Sequence, residues 1–298
     1  MKEEVEKGMR NLQDKICEGL EKLDGEGTFQ EDLWNRSGGG GGRTRILEGR
    51  IIEKGGVNFS AVHGDLSPKI SNALNISSKK FYATGVSIVL HPRNPWVPII
   101  HMNVRYFKTD SGHQWFGGGI DVTPHYVIKD DAVFFHKYLK SVCDKFDLEY
   151  YPDFKKWADR YFYLKHRQET RGIGGIFFDR LSENEKYTMK QRWGFVQSVG
   201  NSFLPIYRNL VQKNYSKPFS EEDKDWQYHR RGRYVEFNLV WDKGTKFGLD
   251  TDGRTESILM SLPAQARWSY MHDYSDNENA VFTQEILKSS NIDWIVDN

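Results

Sequence analysis

Between residue 45 and residue 124 the chain runs through four consecutive stretches with a period of two: 46–62, 82–91, 99–107 and 115–122. Gly, Pro, Asn and Asp turns separate them. Strands that follow one another directly, with no helix between them, pair antiparallel. A doubly wound parallel sheet needs a helix in each crossover. Helical three-four spacing lies outside this block. Val5, Met9, Leu12, Ile16, Leu20 and Leu23 mark an amphipathic helix in residues 1–27, and similar patterns cover 130–146, 153–167 and 182–213. Gly194, Gly200 and Pro205 predict a bend or break in the last of these. Alternation at 234–242 and 255–262 predicts two late strands. The predicted fold class is therefore α+β, a large antiparallel sheet flanked by helices on both faces. With no repeat and no linker in 298 residues, one domain spanning 1–298 is expected.

Two glycine-rich stretches invite a nucleotide reading and do not sustain it. The five glycines from Gly38 to Gly42, with Arg43 and Arg45, have no following Gly-Lys-Ser/Thr, so residues 36–45 read as a mobile loop. The stretch from Arg171 to Ile176 lacks the third glycine of a dinucleotide fingerprint.

The strand alternation sorts side chains by face. His101, Asn103 and Arg105 share one face, opposite Ile100, Met102, Val104 and Tyr106. Ser87 and His91 oppose Val86, Ile88 and Leu90. Read as strands, the late segments put Glu236, Asn238 and Asp242 on one face and Ser257 and Ser261 on another. Such a face is either solvated or covered to make a pocket. Its His, Asn, Arg, Ser and Asp content, with helices enough to cover both sheet faces, favours the pocket. Arg105, with Arg230, Arg231, Arg233 and Arg254 beside the late segments, points to an anionic ligand, because the guanidinium fork matches carboxylate or phosphate. A solvated turn at 230–233 is the alternative.

Charge and composition narrow the function classes. Lys and Arg number 42 against 41 Asp and Glu, which leaves no general field for nucleic acid. Cys17 and Cys143 are far apart and make neither a disulfide framework nor a zinc finger. No run is apolar enough to span a membrane, and the acidic opening residues resemble no targeting signal, so a cytoplasmic setting is expected. Aromatic residues make up 14% of the chain and glycines number 27, a mixture suited either to dense packing or to enclosing a flat, bulky ligand. His101, beside an amide and an arginine, is the best acid–base candidate. Metal binding through clustered histidines stays open, while His136 and His166 sit on predicted helices where a packing role is commoner.

Ordered blocks then carry a resemblance. They are EKGGVNFS at 53–60, SIVLHPRNP at 87–95, HMNVRYF at 101–107, WFGGGIDVTP at 115–124, RGIGGIFFD at 171–179, QRWGFVQ at 191–197, residues 230–242 and RTESILMS at 254–261. Together they resemble the oxygen-dependent coproporphyrinogen III oxidase family along nearly the whole chain. The resemblance implies oxidative decarboxylation of two propionates to vinyl groups with molecular oxygen as co-substrate and no organic cofactor. It also implies a homodimer whose contact segment matches 234–269. Carried over by motif, Ser87, Asn103, Val104, Arg105, Asp252, Gly253 and Arg254 would contact coproporphyrinogen III and His101 would donate a proton. Asp121 and Asp242 would engage the macrocycle. A divalent ion, described for some members, would fall on His91, His101, His136 and His166. Met102, Lys243 and Asp252 depart from the family pattern. Lys243 lacks the arginine fork and Asp252 adds negative charge near an anion site. A non-catalytic tetrapyrrole carrier is the competing function, and single-strand nucleic-acid binding a third.

Overall fold

The structure is a computed structural model that describes residues 1–66, 71, 76–250, 253–289 and 292–295. Seven strands form one antiparallel sheet in the order β1-β2-β3-β4-β5-β6-β9. They are β1 (Gln30–Asn35), β2 (Gly40–Leu47), β3 (Ile52–Asp65), β4 (Lys80–Pro92), β5 (Ile99–Thr109), β6 (Gln114–Thr123) and β9 (Gly175–Leu181). The short pair β7 (Tyr163–Leu164) and β8 (Glu169–Thr170) stands apart. Each sheet strand up to β6 returns beside its predecessor, so the sheet is a meander with β9 added at one edge.

One face is apolar. Val57, Phe59, Val86, Ile88, Ile100, Met102, Val104, Phe116 and Ile120 are buried there under α1 (Lys2–Asp24) and α4 (Met189–Asn214). The predicted stripe of α1 is the one that packs: Val5, Met9, Leu12, Ile16 and Leu20 are all buried. Each such side chain contributes roughly 1.5–3 kcal/mol by leaving water. The two helices cross closely because glycines lie at the contact. A Cβ on Gly19 would meet Leu204 at 2.6 Å, and one on Gly200 would meet Leu12 at 2.6 Å. Asp24 fixes the end of α1 to the sheet by accepting from the backbone N–H groups of Gly27, Arg50, Ile51 and Ile52. Both cysteines are free and buried.

The remaining helices are α2 (Lys129–Cys143), α3 (Tyr150–Tyr161), α5 (Glu221–Glu236), α6 (Lys243–Asp250), α7 (Thr255–Leu259) and α8 (Glu278–Lys288). A π-helical turn, Phe237–Trp241, continues α5. The α3 helix wraps the β9 edge, placing Phe154 against Phe178 on the apolar face and Trp157 against Phe177 on the other.

Three sequence expectations are corrected. Residues 40–45 are strand, and the glycine run supplies the β1–β2 turn plus the start of β2, where strand backbones crowd Gly41 and Gly42 too closely for a side chain. The segments 234–242 and 255–262 hold no strand; they are the end of α5, the π turn and the short α7. Finally, α4 is one helix through Gly194, Gly200 and Pro205, so the break does not occur.

Candidate active site

The polar face of the sheet is ordered by register. One row across it reads Gly56, Val89, His101, Asp121 and Gly175. The next reads Asn58, Ser87, Asn103, Gly119 and Phe177, and a third reads Ser60, Gly85, Arg105 and Gly117. At the third row a bulge between β6 and β9 brings Asp179 opposite Gly117. Strand spacing and rise make this floor about 19 Å across and about 14 Å long. Because Gly85, Gly117 and Gly119 present no side chain, the floor stays low where Ser87, Asn103 and Arg105 are partly exposed.

The residues after Tyr234 roof part of this floor. Asn58 donates to the Ser257 carbonyl at 2.7 Å, and Met260 packs over Gly56. His91 pairs its Nε2 with the Ser261 carbonyl at 2.8 Å. Tyr234 and Phe237 close over the first row, with Phe162 from the end of α3.

Beneath that roof runs a chain of charge. His101 Nδ1 lies 2.7 Å from Asp121 Oδ1, and Arg171 Nη2 donates to Asp121 Oδ2 at 2.6 Å. Arg171 Nη1 donates to Asn238 Oδ1 at 3.0 Å. The Arg171 guanidinium is walled by the rings of Phe162, Tyr234 and Phe237, 4.3 to 4.7 Å from its centre. Burial alone would raise the Asp121 carboxyl, but Arg171 and His101 outweigh it and hold it below the usual carboxylate range. A carboxylate oxygen can only accept, so Asp121 fixes the His101 proton on Nδ1. His101 Nε2 has no protein partner among the described residues, and the ring is a quarter exposed toward the floor.

On the third row Arg105 donates to Asn103 Oδ1 at 3.1 Å and to Asp179 Oδ1 at 2.9 Å. Two of its five N–H groups are thus engaged and the rest remain for a ligand.

The other sequence candidates have separate places. The Val104 side chain is fully buried on the apolar face, so it cannot line the floor; the strand period that exposes Asn103 and Arg105 turns it away. Asp242 accepts from the Tyr161 hydroxyl at 2.8 Å and from Thr245 N and Oγ1 at 2.7 and 2.8 Å, which caps α6 and leaves it little capacity for a macrocycle. Arg254 pairs with Asp32 at the surface, and Gly253 packs on the Gly248 carbonyl. Asp252 lies outside the described residues. Nor do the late arginines form a free anion cluster. Arg230 pairs with Glu169, Arg231 with Glu53, and Arg233 with Glu236, all along α5, where Arg230 and Arg231 are buried.

The histidine set expected for an ion is dispersed. His136 is sealed between the Tyr151 hydroxyl and the Ile173 carbonyl, each at 2.9 Å, and His166 sits between Glu236 and the Trp241 indole N–H. Burial pushes His91 and His136 down to about 3. His91 Nε2 and both nitrogens of His136 are bonded to protein groups, and the four histidines make no cluster among the described residues, so they do not fit one coordination sphere. Sequence reasoning assigned no role to Arg171 and Asp179, which open and close the RGIGGIFFD block. The available signal was an arginine next to glycines that pack on another backbone: a Cβ on Gly172 would meet the Val122 carbonyl at 2.3 Å.

Comparisons with known proteins place nearly the whole chain in one family. A family model described as Coproporphyrinogen III oxidase matches residues 4–294. The chain is 49% identical over 291 residues to the "Oxygen-dependent coproporphyrinogen-III oxidase" of Prochlorococcus marinus, covering 89% of this chain and 84% of that protein. It is 48% identical over 280 residues to "Coproporphyrinogen-III oxidase 1, chloroplastic" of Arabidopsis thaliana, covering 89% of this chain and 72% of the relative. A polar, glycine-floored sheet face with an ordered histidine and a partly free arginine thus lies within a match that runs nearly end to end, and the chain belongs to the coproporphyrinogen III oxidase family.

Proposed function

We propose that the chain is an oxygen-dependent coproporphyrinogen III oxidase, converting two propionates of its substrate to vinyl groups and yielding protoporphyrinogen IX in haem biosynthesis. For each side chain the balance is R–CH2–CH2–CO2⁻ + O2 + H⁺ → R–CH=CH2 + CO2 + H2O2. Oxygen takes the electron pair, so the protein's own task is to hold the macrocycle and manage protons. The observation that carries the reading is the juxtaposition of the His101–Asp121–Arg171 chain with Arg105 on one glycine-lined floor. Arg105 holds a propionate; Ser87 and Asn103 lie between it and His101 to orient the ring. His101 exchanges a proton through Nε2, and Asp121 positions it. Asp121 and Asp242 are satisfied by protein partners, so their proposed roles are positional rather than direct binding of pyrrole N–H groups.

Homodimerisation is proposed through 234–269. Leu239, Val240 and Trp268 are exposed on that segment, with Tyr270 and Met271 adjoining it. No described helix is long and apolar enough to cross a membrane. A cytoplasmic setting is supported by composition alone, and the Arabidopsis relative is named chloroplastic.

Parallel aerobic and anaerobic incubations with coproporphyrinogen III, followed by chromatography of the oxidised porphyrins, test the activity. Divinyl product in the aerobic sample only is expected. A carrier would return the substrate unchanged in both, and that result would overturn the reading.

A further inference from the structure

Away from the catalytic floor, α5 and the segment after Leu262 gather Asp225, His229 and His272. One donor atom from each lies within 4.8 Å of the other two, the only such grouping of His, Cys, Asp and Glu among the described residues. We propose that these three residues form a binding site for a divalent transition ion of the zinc class, which fastens the 267–274 segment to α5.

Asp225 and His229 are four apart on a helix and so share one face. His229 Nδ1 lies 2.9 Å from the Asp225 main-chain carbonyl and 3.3 Å from Asp225 Oδ2, both of which can only accept; the proton is therefore on Nδ1 and the lone pair on Nε2. A ligating histidine is held in this way when its other nitrogen donates to a backbone carbonyl. Nε2 now receives only the Ser269 hydroxyl, at 3.0 Å. His272 stacks on His229 with ring centroids 3.5 Å apart, which brings a second imidazole to the same place. Two imidazoles and a carboxylate suit a borderline divalent ion and leave positions for water.

The charges around the cluster are Asp225 and Asp273 against Arg233 and Arg267. Arg267 pairs with Asp225 from a side chain that is half exposed, so an ion displaces it into solvent without burying an unpaired charge. The segment is already tethered nearby by Arg267 N–H to the Tyr228 carbonyl at 3.0 Å and by Trp268 Nε1 to Glu236 at 2.9 Å. An ion would take the place of Ser269 on His229 and of Arg267 on Asp225 and join His272 to α5 directly.

The test is zinc binding by the full chain, followed by calorimetric titration with zinc chloride and by the absorption spectrum of the cobalt-loaded protein. The wild type is expected to bind one more equivalent than His229→Ala or His272→Gln, with a nitrogen-ligated cobalt spectrum that both variants lose. Asp225→Asn is expected to weaken that site at least tenfold. Arg267→Ala removes the competing cation and is expected to tighten it severalfold, an effect that a merely structural cluster would not give. Equal stoichiometry in wild type and both histidine variants, or weaker binding in Arg267→Ala, would overturn the site. Because Asp225, His229 and His272 do not touch the catalytic floor and lie outside the 234–269 segment, oxidase activity in metal-free protein is expected to stay the same in the Asp225, His229 and His272 variants.

Discussion

His101 is oriented by a carboxylate that is itself held by a cation. Asp121 accepts from His101 with one oxygen and from Arg171 with the other, so the imidazole is oriented before any substrate arrives. In His101→Ala the Asp121–Arg171 pair remains, no charge is left alone in the interior, and the fold should survive. A positioned acid–base group contributes typically about 10²–10⁴-fold, so kcat should fall by that factor with KM nearly unchanged. Arg105→Ala should behave differently, raising KM at least tenfold through loss of a propionate contact. Steady-state kinetics of the two variants check the split, and full turnover in His101→Ala would remove its role. The alternation in 99–107 exposed both residues to sequence reasoning, because strand period alone decides which side chains share a face. The same rule puts Val104 on the other face, against the role the resemblance carried over. Arg171 was not legible: its meaning comes from Asp121, fifty residues away, and from the Phe162, Tyr234 and Phe237 cage.

At the scale of elements, the sheet is a set of rows, and its glycines decide where the rows are low. Gly117 is the clearest case, since a Cβ there would meet Asp179 Oδ1 at 2.4 Å and Arg105 Nε at 2.8 Å. Both neighbours are ends of partly exposed side chains that can move, so Gly117→Ala should part the Arg105–Asp179 pair while the strand survives. We expect KM to rise about tenfold and the melting temperature to shift by only a few degrees. Kinetics and a thermal melt decide it; unchanged KM would mean that the low floor does not shape binding. The four central strands were legible because one face is continuous core, and α1 because its stripe follows a single period. The late strands were misread for a local reason. Val235, Phe237, Leu239 and Trp241 alternate with Glu236, Asn238 and Asp242, broken only at Val240, and are β-branched, aromatic or leucine, yet burial of Tyr234 and Phe237 around Arg171 favours helix and a π turn. The glycine run misled in the opposite direction, since its lack of side chains suits close strand approach as well as a loop.

For the molecule as a whole, the nearly equal charge count conceals how much polar chemistry is buried, and pH should reveal it. His91 and His136 are fully buried and pushed by burial from the ordinary 6.5 to about 3, and burial also drives His125 well below its ordinary value. Below pH 6.5 the unfolded chain takes up protons that the folded chain refuses, so stability falls as pH falls, toward the folded values near 3. The cost is about 1 kcal/mol per histidine between pH 6.5 and 5.5, or about 3 kcal/mol for the three. Carboxylates follow in a lower window. Burial would raise Glu236, but Arg167 and His166 bring it from 4.5 to about 2, so its stabilisation is lost only as pH drops below about 4.5. Asp159, raised by burial, opposes that second loss. Urea unfolding at fixed protein concentration should therefore show stability declining from pH 6.5, before any carboxylate titrates, with uptake of about three protons near pH 5.5. His136→Gln should reduce that uptake by about one proton even if it lowers stability at pH 7.5. A flat stability between pH 7.5 and 5.5 would mean that these histidines are not held neutral, and would undo the account of a sheet whose polar side is roofed and dry around His91.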